Sequence, residues 1–174
     1  MNTTDILREL LVDDVIVPIE NNRCIMSEAG SDYTFSLNHL PKDSIIIKCD
    51  RFPNLGEKFF KGKNQECKRA DYALISESKK VIMLFELKRS SKSSILKDNI
   101  AQLKGAKCVV AYCGLIVDSF FGKPKIFDGF VEKYYIIRYS PSEKREFAAS
   151  ETMDNTSPEK AKIIHGKFRS FEGL

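Results

Sequence analysis

Two periods of apolar positions alternate along the chain, and the elements they predict can be laid out in order. Residues Thr3 to Val12 carry Ile6, Leu7, Leu10 and Leu11 at helical spacing behind Thr3 or Thr4 as a cap and Asp5 in the first turn. Val15 to Ile19, interrupted by Pro18, reads as a short edge strand or an extended connection. Between Arg23 and Asn38 the signals are mixed. Ser27-Glu28-Ala29 can open a short helix, whereas Tyr33, Phe35 and Leu37 alternate as in a strand. Ser44 to Cys49, with three consecutive isoleucines, predicts a strand.

The centre of the chain is more informative. Asp71 to Ile75 is a strand-like run, Ser76 to Lys80 a polar turn, and Val81 to Lys88 a second strand whose apolar start ends at Glu86-Leu87-Lys88. A helix is expected from Ser90 to Lys104, capped by Ser91, Ser93 or Ser94, with Ile95, Leu96, Ile100 and Leu103 on its apolar stripe and Gly105 at its end. Lys107 to Cys113 then predicts a strand, parallel to the Val81 strand through a right-handed crossover. Leu115 to Phe121 reads as a short helix or loop, Gly122 to Gly129 as a loop, and Glu132 to Tyr139 as a further strand. Pro158 to Phe171 reads as a terminal amphipathic helix docked on the core.

Geometry turns this pattern into chemistry. Residues two apart on a strand share a face, so Glu86 and Lys88 project together while Leu87 points away with Phe85 and Met83. If the Asp71 strand pairs antiparallel with the Val81 strand across the turn, Asp71 falls beside Glu86 and Lys88. Two carboxylates converging at one end of a hairpin suit Mg²⁺, which takes one or two carboxylates and completes its octahedron with phosphate and water. The ammonium of Lys88 would stand beside the attacking water.

Asp71, the hairpin turn, Glu86-Leu87-Lys88 and then Gln102 on the following helix resemble the PD-(D/E)XK nuclease superfamily. That resemblance implies an α/β fold with a mixed central β-sheet flanked by helices, built on a restriction-endonuclease-like core in the order helix, three-strand meander, helix, strand. It covers residues 44–113, with 114–174 as a C-terminal extension of one domain. It implies that Asp71 and Glu86 hold Mg²⁺ or Mn²⁺, that Leu87 lends its backbone carbonyl to the metal, that Lys88 positions or activates the water, and that Gln102 supports the site. Ala70 stands where the family pattern has proline. The acidic residue expected ahead of Asp71 has no clear match, with Glu9, Glu28, Asp50 and Glu66 as the alternatives.

The expected activity is therefore metal-dependent hydrolysis of phosphodiester bonds by an endonuclease, with DNA ahead of RNA as substrate. The alternative is a catalytically idle module of the same fold that binds nucleic acid or a protein partner. A Glu-x-Lys triplet also arises by accident in a chain with 30% charged residues, as an exposed ion pair of little energetic worth.

Composition adds a little. The 174 residues suffice for one core, and the net charge of +4 permits a polyanionic partner without requiring one. Charge clusters ahead of Asp71, where Lys58, Lys61, Lys63, Lys68 and Arg69 interleave with Phe59 and Phe60. This segment, together with Arg89, can bind phosphates and stack bases, or else the two phenylalanines are core with solvated lysines around them. The five cysteines form no Cys-x-x-Cys pair and His39 and His165 lie far apart, which argues against zinc and for small buried thiols in a reducing compartment. No apolar run approaches the length of a membrane span, so a cytoplasmic protein with no membrane partner is expected. Cutting both strands of a duplex from one site would call for two copies, hence a homodimer.

Overall fold

The computed structural model describes residues 1–28, 30, 32–53, 59–89, 96–139 and 154–174. Its architecture is α/β in three layers, with two mixed sheets and, among the described residues, two α-helices. The central sheet has the order β3-β4-β5-β6-β7, formed by β3 (Ser44–Lys48), β4 (Tyr72–Ser76), β5 (Val81–Lys88), β6 (Val131–Arg138) and β7 (Lys162–His165). β3, β4 and β5 form an antiparallel meander, and β6 and β7 continue it in parallel. A smaller sheet, β1 (Cys24–Ser27), β2 (Thr34–Asn38) and β8 (Phe168–Ser170), pairs β1 with β2 antiparallel and β2 with β8 parallel. The helices are α1 (Thr3–Leu10) and α2 (Leu96–Phe121).

Both faces of the central sheet are buried, which is why its strands read as near-continuous apolar runs rather than alternating ones. One face, with Leu74, Met83, Phe85, Leu87 and Tyr135, packs on Met26, Phe35 and Leu37 of the small sheet. The other, with Ala73, Ile75, Ile82, Leu84 and Ile136, packs on Leu7 of α1 and on Leu103, Ala106 and Val110 of α2. Burying aliphatic side chains on this scale, at roughly 25 cal/mol per Å² of apolar surface, is the main force holding the layers together.

Several expectations need correction. The segment Lys107–Cys113 is not a strand but the middle of α2, a helix of 26 residues that also takes in Leu115–Phe121. An apolar run of that length suits a buried helix as well as a strand, and here Val109, Val110 and Cys113 face the sheet while Lys107 and Tyr112 face out. The parallel neighbour of β5 is instead β6, which begins one residue ahead of the expected Glu132. The central sheet thus takes two of its strands from the segment after residue 113.

Gly105 lies inside α2 rather than at its end. A Cβ there would stand 1.7 Å from the Lys68 carbonyl oxygen, so glycine lets the chain ahead of Asp71 lie directly against the helix. The expected helix over Pro158–Phe171 is replaced by a 3₁₀ turn (Pro158–Lys160) followed by β7 and β8. α1 is capped by Asn2, whose side chain accepts from the Asp5 backbone N–H, while Thr3 donates its hydroxyl to the Ile126 carbonyl. Val15 closes a 3₁₀ turn (Asp13–Val15), and residues 16–19 form an extended connection touching β3 at Ile16 and Ile47. The proposed caps Ser91, Ser93 and Ser94 lie outside the described residues. Finally, α2 is long and apolar enough, by length and composition, to cross a membrane, which the sequence pattern had not indicated. Its buried stripe serves as one side of the protein's own core.

Candidate active site at the end of the central sheet

The β4–β5 register, with Tyr72 opposite Phe85, brings Asp71 level with Glu86. Both carboxylates and Lys88 lie on the sheet face covered by α2, because Ala73 and Leu84, two residues along each strand, belong to that face. Asp71 is fixed by a 2.7 Å hydrogen bond in which the Leu87 backbone N–H donates to Oδ2. The segment leading into it is fixed as well, with the Ala70 N–H donating to the Gln102 carbonyl at 2.8 Å and the Cys49 N–H to the Asp71 carbonyl at 2.8 Å.

Glu86 is fully buried in the site, where Oε1 forms an ion pair with Lys88 Nζ and Oε2 has no hydrogen-bond partner among the described residues. Burial, and then the neighbouring Asp71 carboxylate, pushes the Glu86 carboxyl up to about 8 despite Lys88. Burial likewise raises Asp71, to about 6, with the Leu87 N–H and Lys88 opposing and Asp50 and Glu28 adding to the rise. Burial works to lower Lys88, but the carboxylates of Glu86, Asp71 and Glu28 outweigh it and its ammonium is held above the usual range.

Of the four alternatives for an acid ahead of Asp71, two lie near enough to raise it electrostatically. Asp50 follows β3 in a 3₁₀ turn, and Glu28 follows Ser27, whose backbone is held from both sides by the Tyr72 hydroxyl. Both act electrostatically on Asp71. Glu66 instead accepts from the Gly62 and Asn64 backbone N–H groups and closes its own loop. Glu9 is exposed on α1, whose first residue Thr3 is tied to Glu77 in the β4–β5 turn, at the far end of the hairpin. Among the described residues, no cluster of three or more His, Cys, Asp or Glu side chains is close enough to share one metal ion.

The unpartnered, buried Glu86 Oε2 beside a second carboxylate nevertheless fits a divalent cation, which prefers one or two carboxylate oxygens with water and phosphate completing its shell. Leu87 contributes its backbone N–H to Asp71, and its side chain is buried between the two sheets. Gln102 enters through its main-chain carbonyl, not through a side-chain contact that the structure records.

The proposed phosphate contacts divide. Lys61 and Lys63 are exposed, and Phe59 and Phe60 pack edge to face with 78% and 40% of their surfaces open, so they are not core. Lys68 is ion-paired with Asp98 at 2.7 Å, and the Arg69 guanidinium lies 5.8 Å over the Phe52 ring. Arg89 is exposed and lines a cavity of about 310 Å³ with Tyr33, Tyr139 and Lys167. Lys58 lies outside the described residues.

Two polar residues at this end of the molecule, Asn99 and Arg138, have no role in the sequence reading, and His165 figures there only as lying too far from His39 for zinc. Asn99, fully buried on the same stripe of α2 as Leu103 and Ala106, has no partner among the described residues for either side-chain polar atom. Arg138 pairs in register with Lys88, and His165 with Arg138. The alternation of Glu132 to Tyr139 hinted at the strand, but only the parallel register, absent from any local pattern, places Arg138 beside Lys88. No protein-family model matches the chain, and neither the curated proteins nor the solved structures compared with it include a match.

Proposed function

We propose that the chain is a metal-dependent nuclease that hydrolyses phosphodiester bonds, DNA being the first substrate to test. The observation that carries this reading is the fully buried Glu86, level with Asp71, whose Oε2 has no hydrogen-bond partner within bonding geometry among the described residues. Burying such an oxygen is costly, and a bound cation removes that cost. Asp71 and Glu86 would hold Mg²⁺ or Mn²⁺, which when bound supplies Lewis acidity toward a phosphate oxygen and a water of lowered pKa.

Lys88, held protonated by its carboxylate neighbours, is suited to orienting the attacking water and offsetting charge in the pentavalent transition state, not to removing a proton. With β1 and β2 inserted between α1 and β3, the succession of a helix, the meander β3-β4-β5, α2 and the parallel strand β6 supports the reading. Lys61, Lys63 and the open rings of Phe59 and Phe60, on the segment that leads into Asp71, offer charge and stacking surface to a polyanion.

A second reading rests on Lys88 itself. Its ammonium already occupies one oxygen of Glu86, and no third acid completes a metal cluster among the described residues, as in a module that binds without cutting. Incubation with supercoiled plasmid, single-stranded DNA and RNA in Mg²⁺, Mn²⁺ or EDTA, beside Asp71→Ala and Lys88→Ala, separates the two. Metal-dependent cutting lost in both variants supports the nuclease. Absence of cutting on every substrate, with wild type and variants binding alike, rejects it.

A further inference from the structure

The parallel pairing of β5 with β6 sets Arg138 directly beside Lys88, and the face shared by Leu84, Tyr134 and Ile136 carries both residues onto the α2 side of the sheet. Their electrostatic situations differ. Lys88 is neutralised by Glu86. Arg138 has no carboxylate within ion-pair distance among the described residues, and its Nε is buried without a hydrogen-bond partner. A half-buried guanidinium with an unmet N–H, at the end of a strand and beside a proposed hydrolytic centre, is arranged for an anion that arrives from outside.

We propose that Arg138 binds the phosphate group undergoing hydrolysis, its planar guanidinium donating to the non-bridging oxygens while Lys88 serves the water. The inference rests on the nuclease reading and assigns the substrate contact that reading leaves open. Neither Lys88 nor the two carboxylates supply it: the ammonium is committed to Glu86, and the carboxylates repel phosphate unless a cation intervenes. Arginine is suited to the task because two parallel N–H groups match two phosphate oxygens, which fixes orientation as well as charge. His165, next in the row on β7, is exposed at the rim.

The test compares wild type, Arg138→Gln and Arg138→Lys in kcat and KM on whichever substrate the wild type cuts, with oligonucleotide binding in EDTA followed by fluorescence anisotropy. Arg138→Gln should lower kcat/KM by about 100-fold and reduce the salt slope of binding by about one. Arg138→Lys, which keeps the charge but loses the fork, should recover only part of the rate. A purely structural arginine would instead lower the melting temperature in the glutamine variant and leave the salt slope unchanged. Wild-type kcat/KM in Arg138→Gln would overturn the inference and leave the nuclease reading intact.

If the wild type cuts nothing, the nuclease reading fails on its own. The anion site is then read from melting in EDTA with and without inorganic phosphate. Stabilisation of wild type but not of Arg138→Gln upholds the site, and equal responses overturn it.

Discussion

Asp71 Oδ2 accepts a 2.7 Å hydrogen bond from the backbone N–H of Leu87, the residue between Glu86 and Lys88. The contact ties the first carboxylate to the strand bearing the second, so the two cannot drift apart without breaking it. Asp71→Asn keeps an oxygen for that N–H and removes only the charge. It should abolish metal-dependent cleavage, by about 100-fold or more, with an unchanged or higher melting temperature at pH 8. Asp71→Ala leaves the N–H unmet and should cost about 1–3 kcal/mol in addition. Melting followed by circular dichroism, run beside the cleavage assay, distinguishes the two effects.

The same pair makes stability depend on pH in the direction opposite to an ordinary salt-bridged carboxylate. Asp71 is raised to about 6 and Glu86 to about 8, each above its unfolded value, so the folded chain binds more protons than the unfolded one between those limits. Their contribution is fully present below the unfolded carboxyl range and is lost as pH rises through 6 and then 8. Lys88, raised in its turn, acts only in the alkaline range. In EDTA the melting temperature should therefore fall from pH 5 to pH 9, and the double variant Asp71→Asn, Glu86→Gln should flatten that fall. Mg²⁺ or Mn²⁺ should restore stability more at pH 8 than at pH 5. A slope shared by wild type and double variant would show that other groups set it.

Lys61, Lys63 and Lys68 have equal formal charge and unequal freedom. The first two are exposed, while Lys68 is held by Asp98 at 2.7 Å. Replacing Lys61 and Lys63 together by alanine should weaken oligonucleotide binding and lower its salt slope by about two, whereas Lys68→Ala should change it by less than one. As a solvent-exposed, screened ion pair, Lys68–Asp98 should also contribute little to stability. Anisotropy titrations over a range of NaCl concentrations measure the slopes.

The convergence of Asp71, Glu86 and Lys88 was legible because it needs only strand alternation and one short hairpin. The meander β3-β4-β5 appears where its isoleucine and valine runs predicted it. What failed depended on distant partners. Cys108-Val109-Val110-Ala111-Tyr112-Cys113 carries enough β-branched and aromatic character to pass for a strand, and only packing on Ala73, Ile82 and Leu84 makes it helix. Ile163 and Ile164 fit a helical stripe equally well until β6 offers them an edge to pair with. Arg138 and His165 became visible for the same reason, since a parallel register is set by a crossover and not by neighbours in sequence.

Gly105 shows how far a single local signal can mislead, and it supports a stringent test. On helix propensity alone, Gly105→Ala should stabilise α2 by about 1 kcal/mol. Its Cβ, however, would lie 1.7 Å from the Lys68 carbonyl oxygen and 2.8 Å from the carbonyl carbon, both backbone atoms. The Lys68 segment cannot simply retreat, because the Ala70 N–H bonds the Gln102 carbonyl at 2.8 Å close by. Relieving that overlap should cost about 1–3 kcal/mol or more, which exceeds the propensity gain. The displacement should also reach Asp71, the residue after Ala70, and lower cleavage together with the melting temperature. Gly114, in the same helix, is the control: its Cβ would meet only the Phe127 ring at 3.1 Å, and a side chain can turn aside. Gly114→Ala should therefore melt within a few degrees of wild type and cut at its rate, while Gly105→Ala melts lower and cuts more slowly. Equal behaviour of the two variants would mean that the Lys68 segment does not bear on α2 in the way that positions Asp71.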